Sequence, residues 1–237
     1  MSSCTVYENK DMQGITGDTL RPGGMFLTDR AIKICDFKSN DKILDVGCGM
    51  GVTVERLKSL YNLNSFGVDP STKLLELGRK KYGNHNIELG RGEELPHENS
   101  FFKGVMAECT MSLMEDYKKT IMESYRVLED KGYFIVSDVY ARSPEYLGDV
   151  QKHNVKSCMR GLFNIDILKE TIVSSGFEII CFEEWTHLLK QLMVKIIFKY
   201  GSMAEFWEIA TCSSCGDFQE KLTLCKPGYF LLIAQKK

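Results

Sequence analysis

A chain of 237 residues, 43% hydrophobic and 26% charged, suits one α/β core near the upper size of a single domain. A net charge of −2 without a basic stripe speaks against nucleic acid as the main partner. Nine cysteines without a secretory leader pattern, and no lysine-free apolar run of spanning length, predict a reducing, cytoplasmic setting without stable membrane insertion.

Residues 1–40 read as an N-terminal lid or helix, with Leu20-Arg21-Pro22-Gly23-Gly24 either as its hinge or as a structural turn before a packing helix. Ile43-Leu44-Asp45-Val46 reads as a buried strand that breaks at Gly47-Cys48-Gly49-Met50-Gly51. The loop opens a helix from Val52 to Leu60, with Val54, Leu57, Leu60 and Tyr61 as its apolar stripe. Glycines there let the backbone approach a ligand, and the helix N-terminus offers unpaired N–H groups. A second strand, Asn64–Val68, ends at Asp69, an acidic residue at the distance suited to accepting hydrogen bonds from ribose hydroxyls. Pro70 and Ser71 start a helix with Leu74, Leu75 and Leu77 inward; Ile87-Glu88-Leu89 and the phrase Gly92-Glu93-Glu94-Leu95-Pro96 follow.

Val105-Met106-Ala107 is predicted as the fourth strand, ending at Glu108-Cys109, and Met114 to Leu128 as a helix stopped by Lys131-Gly132. Tyr133–Asp138 is predicted as the fifth strand, followed by an irregular stretch from Tyr140 to about Phe163. A helix over Asn164–Ser175, a sixth strand over Phe177–Phe182 and a last strand over Tyr229–Ala234 complete the alternation. Between the last two strands, Trp185, Leu188, Leu189, Leu192, Met193, Ile196, Ile197 and Tyr200 form a helical stripe ended by Gly201. Ser202-Met203-Ala204-Glu205 then reads as a capping box. The stripe predicts packing on the sheet or on a second subunit, with a membrane-surface helix as the lesser alternative. Alternating strands and helices imply a mostly parallel sheet covered on both faces.

The GxGxG loop after an acidic strand end, with Asp69 following, resembles the first motifs of the class I S-adenosylmethionine (SAM) dependent methyltransferases. The resemblance implies a Rossmann-like seven-stranded α/β sheet with its last strand antiparallel, and a single domain over 1–237. Within it, 41–140 is the SAM-binding core, 141–163 the acceptor-side loop and 185–225 a helical insertion. It also implies SAM as cofactor, with Arg21, Asp45, Gly47, Cys48, Gly49, Gly51, Asp69, Pro70, Gly92, Glu93, Glu108 and Cys109 as cofactor-binding residues. Asp69 takes the ribose role, and Arg21 is a candidate for the cofactor carboxylate. The family's usual adenine-side aspartate is replaced here by Arg91, which leaves the adenine contact to Glu93 or to backbone groups.

The expected acceptor is a small molecule, and the expected assembly a monomer or homodimer. None of the four histidines falls at the end of strand four or five, which favours an acceptor that is already a lone-pair nucleophile. Glu108-Cys109-Thr110-Met111, Ser137-Asp138-Val139-Tyr140 and Cys158-Met159-Arg160-Gly161 are similar to the arsenite methyltransferase branch. That likeness makes Cys109, Cys158 and Tyr140 the candidate catalytic residues, with Cys212, Cys215 or Cys225 as a possible third thiol. A catalytically silent SAM-binding interaction protein is the alternative of another class. Cys212-Ser213-Ser214-Cys215 alone reads as half a zinc site, a redox pair or local packing, and no metal is assigned.

Overall fold

The first strand, β1 (Lys42–Val46), is buried from Ile43 onward, because it lies in the middle of the sheet with neighbours on both edges. This computed structural model describes residues 19, 21–83, 86–211 and 216–237. Helix α1 (Phe26–Cys35) precedes β1, and α2 (Val52–Tyr61) follows it. Next come β2 (Asn64–Asp69), α3 (Thr72–Tyr82), β3 (Ile87–Leu89) and β4 (Phe102–Glu108). Then follow α4 (Tyr117–Val127), β5 (Leu128–Ala141), α5 (Leu147–Gln151), α6 (Ile165–Ser174) and β6 (Phe177–Glu184). Three helices, α7 (Thr186–Tyr200), α8 (Met203–Thr211) and α9 (Gly216–Cys225), separate β6 from β7 (Pro227–Lys236).

The seven strands run in the order β3-β2-β1-β4-β5-β7-β6. The first five are parallel and β7 is antiparallel to both its neighbours, as the family resemblance implies. Chain order reverses between β1 and β4. A crevice opens outside the carboxyl ends of strands at such a point, and ligands in open α/β sheets bind there.

Several boundaries differ from the sequence reading. Helix α4 starts at Tyr117 rather than Met114, because the Asp116 side chain caps it by accepting from the Lys119 N–H at 3.0 Å. The Lys131-Gly132 pair does not stop a helix. Leu128 already pairs with Phe102 of β4, and Lys131, at φ 62°, kinks a strand that has begun. Leu60 and Ile197 leave their predicted stripes and are exposed. The irregular stretch contains 3-10 turns at Pro144–Tyr146 and Cys158–Gly161 as well as α5. The Ser202 cap is present: its hydroxyl accepts from the Glu205 N–H at 3.1 Å.

The helical insertion packs inward. Leu188, Leu189 and Ile196 of α7 are buried, Phe206 and Trp207 of α8 join the same core cluster, and Trp207 meets the Phe218 ring edge-on at 5.3 Å. No helix among the described residues is long and apolar enough to cross a membrane.

Candidate active site

Two hydrogen bonds hold the glycine loop against the sheet: the N–H groups of Gly47 and Cys48 both donate to the Val68 carbonyl, at 2.8 and 3.0 Å. Gly47 has φ 79°, and a Cβ there would lie 2.5 Å from the Thr110 side chain. Gly49 differs. Its φ of 55° is also left-handed, yet a Cβ would meet only Leu74, at 3.9 Å, so its open side faces the crevice. Helix α3 closes on the loop from behind, where a Cβ on Gly78 would come within 2.2 Å of the Met50 carbonyl oxygen.

The crevice is a cavity of about 540 Å³, in the range of cofactor sites. Every cofactor residue expected from the sequence lines it except Gly51. That residue sits at the N-cap of α2, with φ 77°, and turns toward Ile87, so its part is to bend the loop. Asp69 at the end of β2 accepts from the Gly49 N–H and the Ser71 N–H, each at 2.8 Å. Both bonds draw the loop and the start of α3 onto one carboxylate. Glu93 lines the wall and accepts from the Glu115 N–H at 3.1 Å. Arg91 lines it too, with its guanidinium 3.7 Å from Glu115.

A buried charge cluster forms the opposite wall. Arg21 pairs with Glu108 at 2.7 Å and donates to the hydroxyls of Thr53 at 3.2 Å and Thr28 at 2.7 Å. Thr28 in turn donates to the Glu108 carboxylate at 3.0 Å. Burial raises the Glu108 pKa, and the Arg21 charge opposes the rise. Burial and the neighbouring Glu108 charge push the Asp45 carboxyl up to about 7. The sequence reading does not name Thr28 or Thr53; each is a single hydroxyl in the first turn of an amphipathic helix and carries no motif.

Cys109 follows β4 with φ 61°, its N–H donating to the Ser137 carbonyl at 2.6 Å. Its thiol meets Cys158, as the sequence reading allowed. Cys158 is brought there by the 3-10 turn Cys158–Gly161, which rests on the turn at Met111–Leu113 so closely that a Cβ on Gly161 would overlap the Ser112 carbonyl oxygen. The hydrogen bond to Cys158, together with burial, holds the Cys109 thiol well above its usual pKa. Cys225 lines neither this cavity nor the smaller chamber beyond Cys109, and Cys212 and Cys215 lie outside the described residues. Among the described residues, no group of three or more His, Cys, Asp or Glu is arranged to hold a metal ion.

Tyr140 is not brought to the crevice. Side chains alternate along a strand, and while Val139 faces the chamber, Tyr140 packs in the cluster on the other face of the sheet. Burial and the Glu184 carboxylate raise its pKa. No histidine lines either cavity among the described residues. His97 is enclosed by Phe66, Phe101 and Phe102, and this burial lowers its pKa.

The Asp45 shift has two pH consequences of opposite sign. An acid with a raised folded pKa binds more protons folded than unfolded. The stability contributed by its protonated form is therefore fully present below the unfolded value of about 4 and is lost as pH rises through about 7. Affinity for a cation in the crevice moves the other way. It should rise by up to about tenfold between pH 6 and 8 as Asp45 ionises, and Asp45→Asn should flatten that rise. Calorimetric titration with SAM across this range tests it; an unchanged slope in the variant would remove Asp45 from the effect.

Comparison with known proteins agrees with this geometry. Residues 44–136 match the family described as "Methyltransferase domain". The demethylmenaquinone methyltransferase of Symbiobacterium thermophilum is 32% identical over 107 residues, 42% of this chain and 43% of that protein. Methyltransferase GfsG of Streptomyces halstedii is 26% identical over 174 residues, 69% of this chain and 62% of that protein. The chain thus spans about half the length of the curated relatives it matches, from 43% to 62% in these two. Among solved structures, phosphoethanolamine N-methyltransferase 2 of Haemonchus contortus, in complex with S-adenosyl-L-methionine, superposes with a TM-score of 0.72 at 20% identity. That superposition covers 94% of this chain and 55% of the other. Glycine loop, strand order and domain match converge: residues 44–136 carry the methyltransferase domain, within a fold shared with a SAM-bound methyltransferase.

Proposed function

We propose that this protein transfers the methyl group of SAM to a small-molecule acceptor held beyond Cys109. The observation that carries the reading is that Cys109 lines two adjoining cavities at once, the crevice of about 540 Å³ and an apolar chamber of about 60 Å³. The crevice residues suit SAM. Gly49 leaves room for it, the Asp69 carboxylate suits its ribose, Glu93 or the backbone near Gly92 its adenine, and the acidic Asp45–Glu108 wall a cation.

When bound, SAM supplies an electrophilic methyl on a sulfonium centre. The chain's own part is alignment and exclusion of water. The Arg21–Glu108 pair ties the segment before α1 to the crevice wall, and the turn bearing Cys158 lines the chamber beyond Cys109. In this reading, residues 1–40 act as the lid, of which 1–18 and 20 lie outside the described residues, 41–140 as the cofactor core, and 141–163 with 185–225 as the acceptor side. Calorimetric titration of the reduced protein with SAM tests the core of the proposal, and absence of binding would overturn it.

The contact between Cys109 and Cys158 favours a second reading, in which two thiols hold a trivalent arsenical as acceptor. Repeating the titration with arsenite separates the two. Tighter SAM binding with methylated arsenic appearing in thiol buffer would establish the arsenical. Indifference to arsenite would discard it and keep organic acceptors.

A further inference from the structure

The chamber beyond Cys109 has an unusual lining. Its walls come from Leu192 and Met193 of α7, Met203 and Trp207 of α8, and Cys158 and Met159 of the 3-10 turn. Among the described residues, no carboxylate, imidazole, ammonium or guanidinium group lines it. Ser157 brings the one hydroxyl, and that oxygen already accepts from the Met159 N–H at 3.3 Å. Three methionines and two cysteines make much of the remaining surface sulfur, which is soft and polarisable.

Two chemical limits follow. With no base in the wall, an acceptor that must lose a proton to react finds nothing to take it. With no positive group in the wall, an acceptor that arrives as an anion pays its full desolvation cost. Alcohols and amines bound as ammonium ions fail the first limit, and carboxylates and thiolates fail the second. Nor does the shared wall supply a thiolate as base, since the Cys158 hydrogen bond and burial raise the Cys109 pKa. What passes both limits is a neutral atom with a lone pair and no proton to lose, and the sulfur-rich wall suits a soft, polarisable chalcogen better than a hard tertiary amine.

We infer that the acceptor is a small uncharged thioether, or its selenium counterpart, lodged in the chamber with its chalcogen facing Cys109. The inference rests on the SAM reading above. The acceptor's lone pair forms the new bond to the methyl carbon as the bond from that carbon to the SAM sulfur breaks, and the breaking pair returns to that sulfur. One sulfonium becomes a thioether and one thioether becomes a sulfonium. No proton, oxidant or reductant enters.

The test uses the reduced full chain with saturating SAM and three probes of similar size: dimethyl sulfide, ethanethiol and ethanol. Expected is trimethylsulfonium in equal amount to S-adenosylhomocysteine, read by mass spectrometry, with the other two probes at least tenfold slower. The dimethyl sulfide turnover number should be flat from pH 6 to 8.5, whereas an acceptor that ionises would quicken with pH. Met193→Trp, which fills the chamber, should cut this turnover about a hundredfold and leave SAM affinity within twofold.

SAM binding without trimethylsulfonium formation would overturn the inference and leave the methyltransferase reading standing. A better rate with ethanethiol or ethanol would overturn it as well. Loss of SAM binding altogether would take both down. The wild-type product assay decides the matter even if the tryptophan variant fails to fold.

Discussion

Asp69→Ala should raise the dissociation constant for SAM by two orders of magnitude or more. The carboxylate lies at the end of β2 and is only 7% exposed, with one oxygen on the Gly49 N–H and the other on the Ser71 N–H. The carboxylate also lines the crevice, where two ribose hydroxyls would donate to it. Hydrogen bonds to a charged partner contribute about 1.5–3 kcal/mol each, so losing two costs about 3 kcal/mol or more, which is a factor of over a hundred. The alanine variant also releases the loop N–H that Asp69 holds, so the loss should exceed that of Asp69→Asn, which keeps an acceptor oxygen. Calorimetric titration of both variants checks the order. Near wild-type affinity in the alanine variant would sink the ribose assignment.

Arg21→Met should destabilise the fold by about 3–5 kcal/mol, the usual cost of leaving one member of a buried ion pair alone. The Glu108 side chain is 1% exposed, and without Arg21 only the Thr28 hydroxyl would remain of its described hydrogen-bond partners from the N-terminal side. Denaturant unfolding gives the number. Two further outcomes separate an orphaned charge from simple loss of packing. The deficit should shrink as pH falls and Glu108 takes up a proton, and the double variant Arg21→Met/Glu108→Gln should recover most of the stability. A deficit that is constant with pH would assign the effect to packing around Met25 and Thr53 instead. The pair also shows that Arg21 already serves the protein itself, anchoring the segment before α1 to the end of β4.

The crevice built from the glycine loop and Asp69 is legible in the sequence because its signals are local. Strand, acidic end, glycine loop and helix follow one another within 42–61, and Asp69 sits one strand later. Gly51 was assigned to the cofactor because spacing alone does not say which glycine of the loop faces outward; the backbone at Gly49 and the Ile87 contact at Gly51 do. Tyr140 was assigned to the acceptor side because its position in chain order is right, whereas the pleat turns it to the opposite face. The register with β7, which pairs Tyr140 with Gly228, is a long-range fact that no local pattern carries. The meeting of Cys109 with Cys158 is of the same kind: it depends on two turns stacking across a glycine that sits three residues after the second cysteine. Element boundaries failed where a polar cap or a left-handed residue outweighed periodicity, at Asp116 and Lys131.

The match to the methyltransferase domain ends at residue 136, while the apolar chamber draws most of its wall from residues 157–207. In the proposed reading, the cofactor wall and the acceptor wall therefore come mostly from different stretches of the chain, with Cys109 lining both. Such a layout lets one half drift while the other is held constant. If that reading holds, exchanging the stretch from α7 through α8 between homologues should transfer acceptor preference as a cassette, without altering what donates the methyl.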